Sequence, residues 1–414
     1  MRKKRVVVTG LGTVNPCGLS AEDSWQAVLS GQSGIRTIQS FDTSEFSVAI
    51  GGEVHGFDPT SVLSIKDTRK LDPFIQYALV AAEEGIAQAG FSSDLKPERV
   101  GVAVGSGIGG LSTIESNVLQ LANNGPRRVS PSLVPGSVIN MASGNIAIRH
   151  GYRGPNFSIS TACTSGSHNI GYAARTIVYG DADVMIAGGS EMACSPIGLA
   201  GFASARALST RNDAPEEASR PWDKDRDGFV LSNGAGILVL ESLDHAVQRG
   251  ATILAEISGF GMSDDAFHVT SPPDDGAGAA LAMNNALRDA GLTSSDIHYV
   301  NAHGTSTQAG DVAEIQAIRT VFGQDASRIP VSSTKSMTGH LVGAAGALEA
   351  LFCVLALRDQ VAPGTRNLAE SDVGDDIDLM PNSSRVLPLA HVMSNSFGFG
   401  GTNSSLIFSR WEGA

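Results

Sequence analysis

Ser158-Ile-Ser-Thr-Ala-Cys163-Thr-Ser-Gly166 and Val331-Ser-Ser-Thr-Lys335-Ser336 are two versions of one construction. In each, an apolar run closes on small hydroxyl residues, turns, and enters an alanine-rich stretch, near residues 166–179 and 343–357. A looser echo links Arg5-Val-Val-Val-Thr-Gly-Leu-Gly12 with Ala255-Glu-Ile-Ser-Gly-Phe-Gly261. The repetition predicts two related halves, 1–250 and 251–414. Between these landmarks β-branched runs alternate with helical stretches: Arg5-Val-Val-Val-Thr9 reads as a strand, 74–89 as an amphipathic helix, and Val100-Gly-Val-Ala-Val104 as the next strand. That alternation is the pattern of an α/β protein whose sheets carry helices on both faces.

Composition agrees. A chain of 414 residues, 42% hydrophobic and 17% charged, buries a large core as one large or two closely joined domains. Its 48 glycines against 6% aromatics suit many tight strand-to-helix turns. The start, Met1-Arg-Lys-Lys-Arg5, is basic like the head of an export signal, but the apolar run after it breaks at Thr9-Gly10. No apolar stretch approaches the roughly 18 residues of a membrane span, so the expectation is a cytoplasmic protein with no membrane partner. Cys17, Cys163, Cys194 and Cys353 are scattered without CxxC spacing, which predicts reduced thiols and neither a disulfide framework nor a zinc site. The net charge of −13 argues against nucleic acid as a partner. The charge is uneven, however. No acidic residue lies between Glu115 and Asp181, where Arg127, Arg128, Arg149, Arg153 and Arg175 fall. Such a stretch is either buried core or a positive patch for an acidic partner, and Arg127-Arg128, beside Gly125-Pro126, read as an exposed loop.

Three motifs are set aside. Gly105-Ser-Gly-Ile-Gly-Gly110 matches GxGxxG after a strand, but no acidic residue follows about 20 positions later, as a dinucleotide site requires. The run is read instead as a turn passing close to other backbone. Asp223-Lys-Asp-Arg-Asp227-Gly228 starts like a calcium loop, yet its twelfth position is Gly234 where a glutamate is needed. Ser332-Ser-Thr-Lys335 fits SxxK without the partner motifs of a serine acyl-enzyme.

Chemistry concentrates elsewhere. Cys163 stands where a strand end meets a helix start, so unpaired amides and the helix dipole are expected to lower its thiol pKa and make it a nucleophile. His303, in Asn301-Ala-His-Gly-Thr305-Ser-Thr307, and His340, in Lys335-Ser-Met-Thr-Gly-His340, each follow a strand, where layered α/β folds place working groups. Asn395-Ser-Phe397-Gly-Phe399-Gly-Gly-Thr-Asn403 reads as a glycine-rich turn after the strand 391–393, able to aim N–H groups at an oxyanion.

These four motifs resemble, in order and spacing, the signatures of the β-ketoacyl-[acyl-carrier-protein] synthases, and most of all the bacterial class II elongating enzymes. The similarity runs from Arg5 to Asn403 and includes Arg220-Pro-Trp-Asp-Lys-Asp-Arg-Asp-Gly228; Ser232-Asn233 departs from it, where a glycine and an acidic residue are expected. The resemblance implies a thiolase-like five-layered αβαβα fold of two similar halves, a homodimer, and acyl groups delivered on acyl carrier protein. It implies that Cys163 carries the acyl group, that His303 and His340 stabilise the enolate left by decarboxylation, and that backbone amides of Cys163 and Phe399 hold the acylation oxyanion. It further implies that Lys335 pairs with Glu314 and orders the site, and that Thr305, Thr307, Thr270 and Ser271 bind the phosphopantetheine arm. Ile108 and Phe202 fall at the acyl pocket, and Phe399 close to its entrance; Phe397 is counted with the substrate-binding residues and Glu349 with the supporting ones. Lys66, Arg69, Lys70, Arg127, Arg128 and Arg206 are expected to dock the carrier. No metal or redox cofactor is needed, although Asn301, Glu349, Ser394 and Asn395 could hold a structural monovalent cation. A class I synthase or a type II polyketide ketosynthase of the same fold is the alternative. A thiolase would need a second catalytic cysteine near the C-terminus, and the last one here, Cys353, lies in an apolar helical stretch.

Overall fold

The computed structural model describes residues 4–92 and 94–413, so Met1–Lys3 of the basic start lie outside it. Ten strands form its main sheet: β1 (Val6–Val14), β2 (Val100–Gly105), β3 (Asn156–Phe157), β4 (Val184–Glu191), β5 (Gly234–Ser242), β6 (Ala255–Asp264), β7 (Tyr299–Asn301), β8 (Val331–Ser332), β9 (His391–Gly398) and β10 (Thr402–Arg410). Their order is β8-β7-β9-β10-β6-β1-β5-β4-β2-β3. From β1 outward, two antiparallel pairings (β1–β5, β5–β4) are followed by two parallel ones (β4–β2, β2–β3). From β6 outward the same series recurs through β10, β9, β7 and β8. Within the sheet, the two five-stranded halves meet where Val6–Val8 of β1 pairs with Ala255–Ile257 of β6. The echo between Arg5–Gly12 and Ala255–Gly261 is thus the first strand of each half.

Around the strands lie the helices α1 (Pro73–Ala89), α2 (Leu111–Asn124), which packs against the short helices Leu133–Ser137 and Pro196–Ser204, α3 (Met141–His150), α4 (Ser165–Tyr179), α5 (Ala277–Ala290), α6 (Gln308–Phe322) and α7 (Ala345–Asp359). α1 and α3 lie on the outer face of the first half, α5 and α6 on that of the second, and α4 and α7 pack between the halves, which makes the five layers αβαβα. α7 is buried along Ala345–Leu357 and apolar there except at Glu349, as suits a helix enclosed on every side. α4 and α7 approach most closely at their first turns. A Cβ on Gly166 would stand 2.8 Å from the Ala347 nitrogen, so only glycine permits this crossing. Among the described residues, no helix is long and apolar enough to cross a membrane.

Two expectations are corrected by local chemistry. The strand ahead of Cys163 ends at Phe157, because side chains take the place of a ladder beyond it: Ser158 Oγ donates to Val104 O (2.6 Å), and the Asn169 carboxamide accepts from Ile159 N (3.0 Å) and donates to Ile159 O (2.8 Å). Conversely, β9 continues through Asn395–Gly398 because β10 pairs with it as far as Gly398↔Thr402. The glycine-rich turn is therefore only Phe399–Gly401, with Gly400 and Gly401 at φ 86° and 81°.

Candidate active site

Cys163, His303 and His340 come from three separate turns at the same ends of the strands. Ala162 holds a left-handed φ of 51°, a strained elbow that thrusts Cys163 out ahead of α4. The elbow is fixed by Ser165 Oγ, which donates to Ala162 O (2.7 Å) and accepts from Thr161 N (2.9 Å). His303 follows β7, and its N–H and that of Gly304 donate to the Glu314 carboxylate of α6 at 2.8 and 2.7 Å. His340 follows the short helix Lys335–Thr338. Its Nε2 lies 3.0 Å from Cys163 Sγ, and the two imidazoles meet edge to face with centroids 5.4 Å apart. The sulfur and one nitrogen of each ring all lie within 4.8 Å of one another.

Lys335 orients this group. Its Nζ donates to the carbonyl of His303 (2.8 Å), lies 3.4 Å from His303 Nδ1, and forms a buried ion pair with Glu349 of α7. The expected partner, Glu314, is instead occupied by the backbone turn at His303 and Gly304, whereas Glu349, fourteen residues beyond Lys335, reaches the ammonium directly. Burial pushes both carboxyls up, to about 7 each, against the opposing pull of Lys335. The histidines shift the other way. Burial first, and then the Lys335 charge, holds both rings well below the ordinary imidazole pKa, so they are neutral. Because an ammonium faces His303 Nδ1, that nitrogen keeps its lone pair and Nε2 carries the hydrogen.

The expectation of an acidified thiol is not met. Burial pushes Cys163 up to about 11, outweighing the Lys335 charge and the Phe399 amide, which act to lower it. The resting nucleophile is a thiol beside a neutral imidazole. The Phe399 N–H faces the sulfur and, with Lys335, acts against the effect of burial.

A cavity of about 500 Å³ opens over these groups, lined by Cys163, His303, His340, Thr270, Ser271, Thr305, Thr307, Phe202, Phe397, Phe399, Glu314 and Arg206 among others. Thr305 and Thr307 pair their hydroxyls at 3.0 Å. Ile108 does not line this cavity; it sits behind the wall, half-buried against the apolar cluster that holds Val342, with Phe202 beside it. Lys66, Arg69 and Lys70 are exposed around the short helix Ile65–Thr68, with Lys70 3.6 Å from Asp67. Arg127 and Arg128 are exposed on the turn Pro126–Arg128 after α2, and Arg206 is exposed at the cavity wall.

Sequence reasoning passed over the pair that holds the threonine loop. Arg226, almost wholly buried, lies 3.4 Å from Asp311 and donates to Thr307 O (3.2 Å), while Asp311 accepts from Ser306 N (3.1 Å) and Trp222 N (2.8 Å). Part of the signal lay in the run Asp223–Asp227, which contains Arg226 and in which Asp223 accepts from the Asp225, Ala369 and Glu370 amides.

A neutral His pair and a thiol beside amide donors, in a half-closed cavity, suit acyl transfer followed by stabilisation of an enolate. Family models for the β-ketoacyl synthase N-terminal and C-terminal domains match residues 3–246 and 254–369. The chain is 56% identical over 413 residues to the 3-oxoacyl-[acyl-carrier-protein] synthase 2 of Vibrio cholerae, covering 99% of this chain and 100% of that one. It is 55% identical over 412 residues, 99% of each chain, to the protein of the same description from Vibrio harveyi. Among solved structures, a β-ketoacyl synthase from Burkholderia phymatum superposes with a TM-score of 0.91 at 38% identity, covering 99% of this chain and 100% of that one. A type II polyketide ketosynthase in complex with its acyl carrier protein does so with a TM-score of 0.92 at 33% identity and the same coverage.

Proposed function

The chain belongs to the β-ketoacyl synthase family and is a condensing enzyme of the 3-oxoacyl-[acyl-carrier-protein] synthase 2 type, and on that premise we propose how its residues divide the reaction and what delivers its substrates. In the first half-reaction Cys163 sulfur attacks an acyl thioester. The new C–S bond forms as the old one breaks, and the thiol proton passes by way of His340 to the departing pantetheine sulfur. The amides of Cys163 and Phe399 hold the tetrahedral oxyanion. In the second, malonyl thioester enters, its C–C bond to the carboxylate breaks, and CO2 leaves. The electron pair becomes an enolate, whose oxygen accepts a hydrogen bond from His303 Nε2, the tautomer Lys335 sets, and one from His340 Nε2 once that ring has moved its hydrogen from Nδ1, which has no partner among the described residues. The enolate carbon attacks the acyl carbonyl, Cys163 leaves as a thiolate that takes up one proton from solvent by way of His340, and the chain is two carbons longer. The contact of His340 Nε2 with Cys163 Sγ at 3.0 Å, inside a site where Lys335 fixes His303, carries this reading.

Glu349 Oε2 and Asn301 Oδ1 are buried acceptors without a hydrogen-bond partner among the described residues, which fits the proposed cation on Asn301, Glu349, Ser394 and Asn395. A monovalent ion there would offset the Glu349 charge and leave the chemistry to the cysteine and histidines. We propose an acyl carrier protein as the donor, docked near Arg206 and the two basic turns; the polyketide neighbour's complex with its own carrier supports this. Self-association is supported by the open edge of β3 and by the exposed stripe Ile114, Val118 and Leu121 on α2. Four free thiols suit a reducing, cytoplasmic setting. Incubation with acyl carrier and malonyl carrier tests the reading: one CO2 should be released for each 3-oxoacyl product two carbons longer, and CO2 release without extension would refute it.

A further inference from the structure

The glycine-rich run Gly105–Gly110 behaves as an anion-binding loop whose anion belongs to the chain. Glu191, the last residue of β4, is fully buried. Its Oε1 accepts from Ser106 Oγ (2.7 Å) and Ile108 N (3.2 Å), and its Oε2 from Gly107 N (2.7 Å) and Gly343 N (2.9 Å). Ser106 Oγ in turn accepts from Gly109 N at 2.9 Å. Four donors converge on one carboxyl, so the ionised form fits and a protonated one would set an O–H against an N–H. Both glycines are needed for this approach. A Cβ on Gly343 would lie 2.1 Å from Gly107 N, and one on Gly107 would lie 2.8 Å from Glu191 Oε2.

The two segments tied together here are not neighbours in sequence. One carries Ile108. The other begins three residues before Gly343 with His340 and includes Val342, which lines the cavity beside Cys163. A Cβ on Gly107 would be 3.0 Å from Val342 Cγ1, so the loop backs directly onto that wall. Ile108, Phe202 and Val342 share one apolar cluster.

We propose that Glu191 is a positioning residue for acyl-chain selection, a buried carboxylate that clamps the Ile108 loop against the Val342–Gly343 wall and so fixes the depth of the pocket behind Cys163. The inference rests on the proposed acyl-enzyme, and the loop reaches the acyl chain through Val342, which lines the cavity in front of Ile108. Glu191 touches no reacting atom; it acts through the loop and the wall.

The test is burst acylation of Cys163 from carriers bearing acyl chains of increasing length, measured for the wild type, Glu191→Gln and Glu191→Asp, with thermal melting alongside. In Glu191→Gln one carboxyl oxygen becomes an NH2 that faces two donors, and the clamp loses one of its segments. Long-chain acylation should fall about tenfold or more relative to acetyl transfer, since each lost charge-assisted hydrogen bond is worth roughly a factor of ten. Glu191→Asp keeps the charge and should recover part of the length discrimination. A loss equal at every chain length, or a length profile identical to the wild type, would overturn the proposal. If the wild type itself placed no acyl group on Cys163, the proposed function would fail, and this inference with it.

Discussion

Replacing Lys335 with methionine separates the chemical role of the lysine from its structural one. Lys335 and Glu349 have side chains only 1% and 3% exposed, and removing one partner of such a pair leaves a buried charge at a cost of about 3–5 kcal/mol. Glu349 already sits at about 7 with the lysine present. Without it the carboxyl rises further and takes a proton at neutral pH, which brings the cost toward the lower end, about 3 kcal/mol. The catalytic consequence is separate. His303 Nδ1 loses the ammonium 3.4 Å away that keeps it unprotonated, so the ring can carry its hydrogen on either nitrogen and Nε2 is no longer held as a donor. Losing an oxyanion donor outright costs about 10²–10³-fold, and leaving its tautomer unset should cost about 10²-fold in CO2 release from malonyl carrier. The acid limb of that rate must move to higher pH, because withdrawing a positive neighbour makes the imidazolium of His303 easier to form. The second variant, Lys335→Met with Glu349→Leu, removes the orphaned carboxylate and should regain most of the melting temperature without regaining decarboxylation. Recovery of both together, or an acid limb that stays in place, would refute the assignment and reduce Lys335 to a structural ion pair.

Further expectations can be checked with ordinary assays. His303→Ala and His340→Ala should each suppress CO2 release about 10²-fold or more while leaving some acylation of Cys163, measured as bound acyl label; normal decarboxylation in either would contradict the enolate role. Arg127→Glu with Arg128→Glu should raise the Michaelis constant for carrier-bound substrate several-fold at low salt, with a smaller effect at high salt, because exposed charges steer encounter and are screened. An equal effect on small pantetheine thioesters would show that these arginines do not dock the carrier. Ile108→Phe should impair acylation by long chains and spare the shortest, since blocking four methylenes at roughly 0.8 kcal/mol each costs about 3 kcal/mol, over a hundredfold; a uniform loss would mark it as a core residue.

The halves were legible because strand patterns and strand-turn-helix junctions recur in the chain, and the pairing series from β1 and from β6 repeats strand for strand. Cys163, His303 and His340 could be named one by one from their junctions, but no spacing along the chain states that 177 residues of separation close to 3.0 Å between Cys163 and His340. That convergence came from the resemblance. Side-chain partnerships were the least legible part. Glu314 and Glu349 are both acidic residues in helical stretches, and only the packing of α7 between the halves decides which one reaches Lys335. The thiol's surroundings were hidden for a related reason: the burial that raises it against the Lys335 charge and the Phe399 amide is a property of the assembled layers. Glu191 left one trace, an acidic residue closing a strand of small and apolar residues, and no spacing along the chain ties it to the Gly105–Gly110 run.

The central claim is that Cys163 carries the growing chain between the two half-reactions, and a single-turnover experiment tests it most directly. Enzyme is mixed with one equivalent of acyl carrier, quenched and digested, and the Cys163 peptide is weighed before and after malonyl carrier is added. The account predicts the acyl mass on that peptide alone, its disappearance on malonyl addition, and a matching amount of 3-oxoacyl carrier. An adduct on Cys17, Cys194 or Cys353, or an acyl group on Cys163 that malonyl carrier does not discharge, would contradict it.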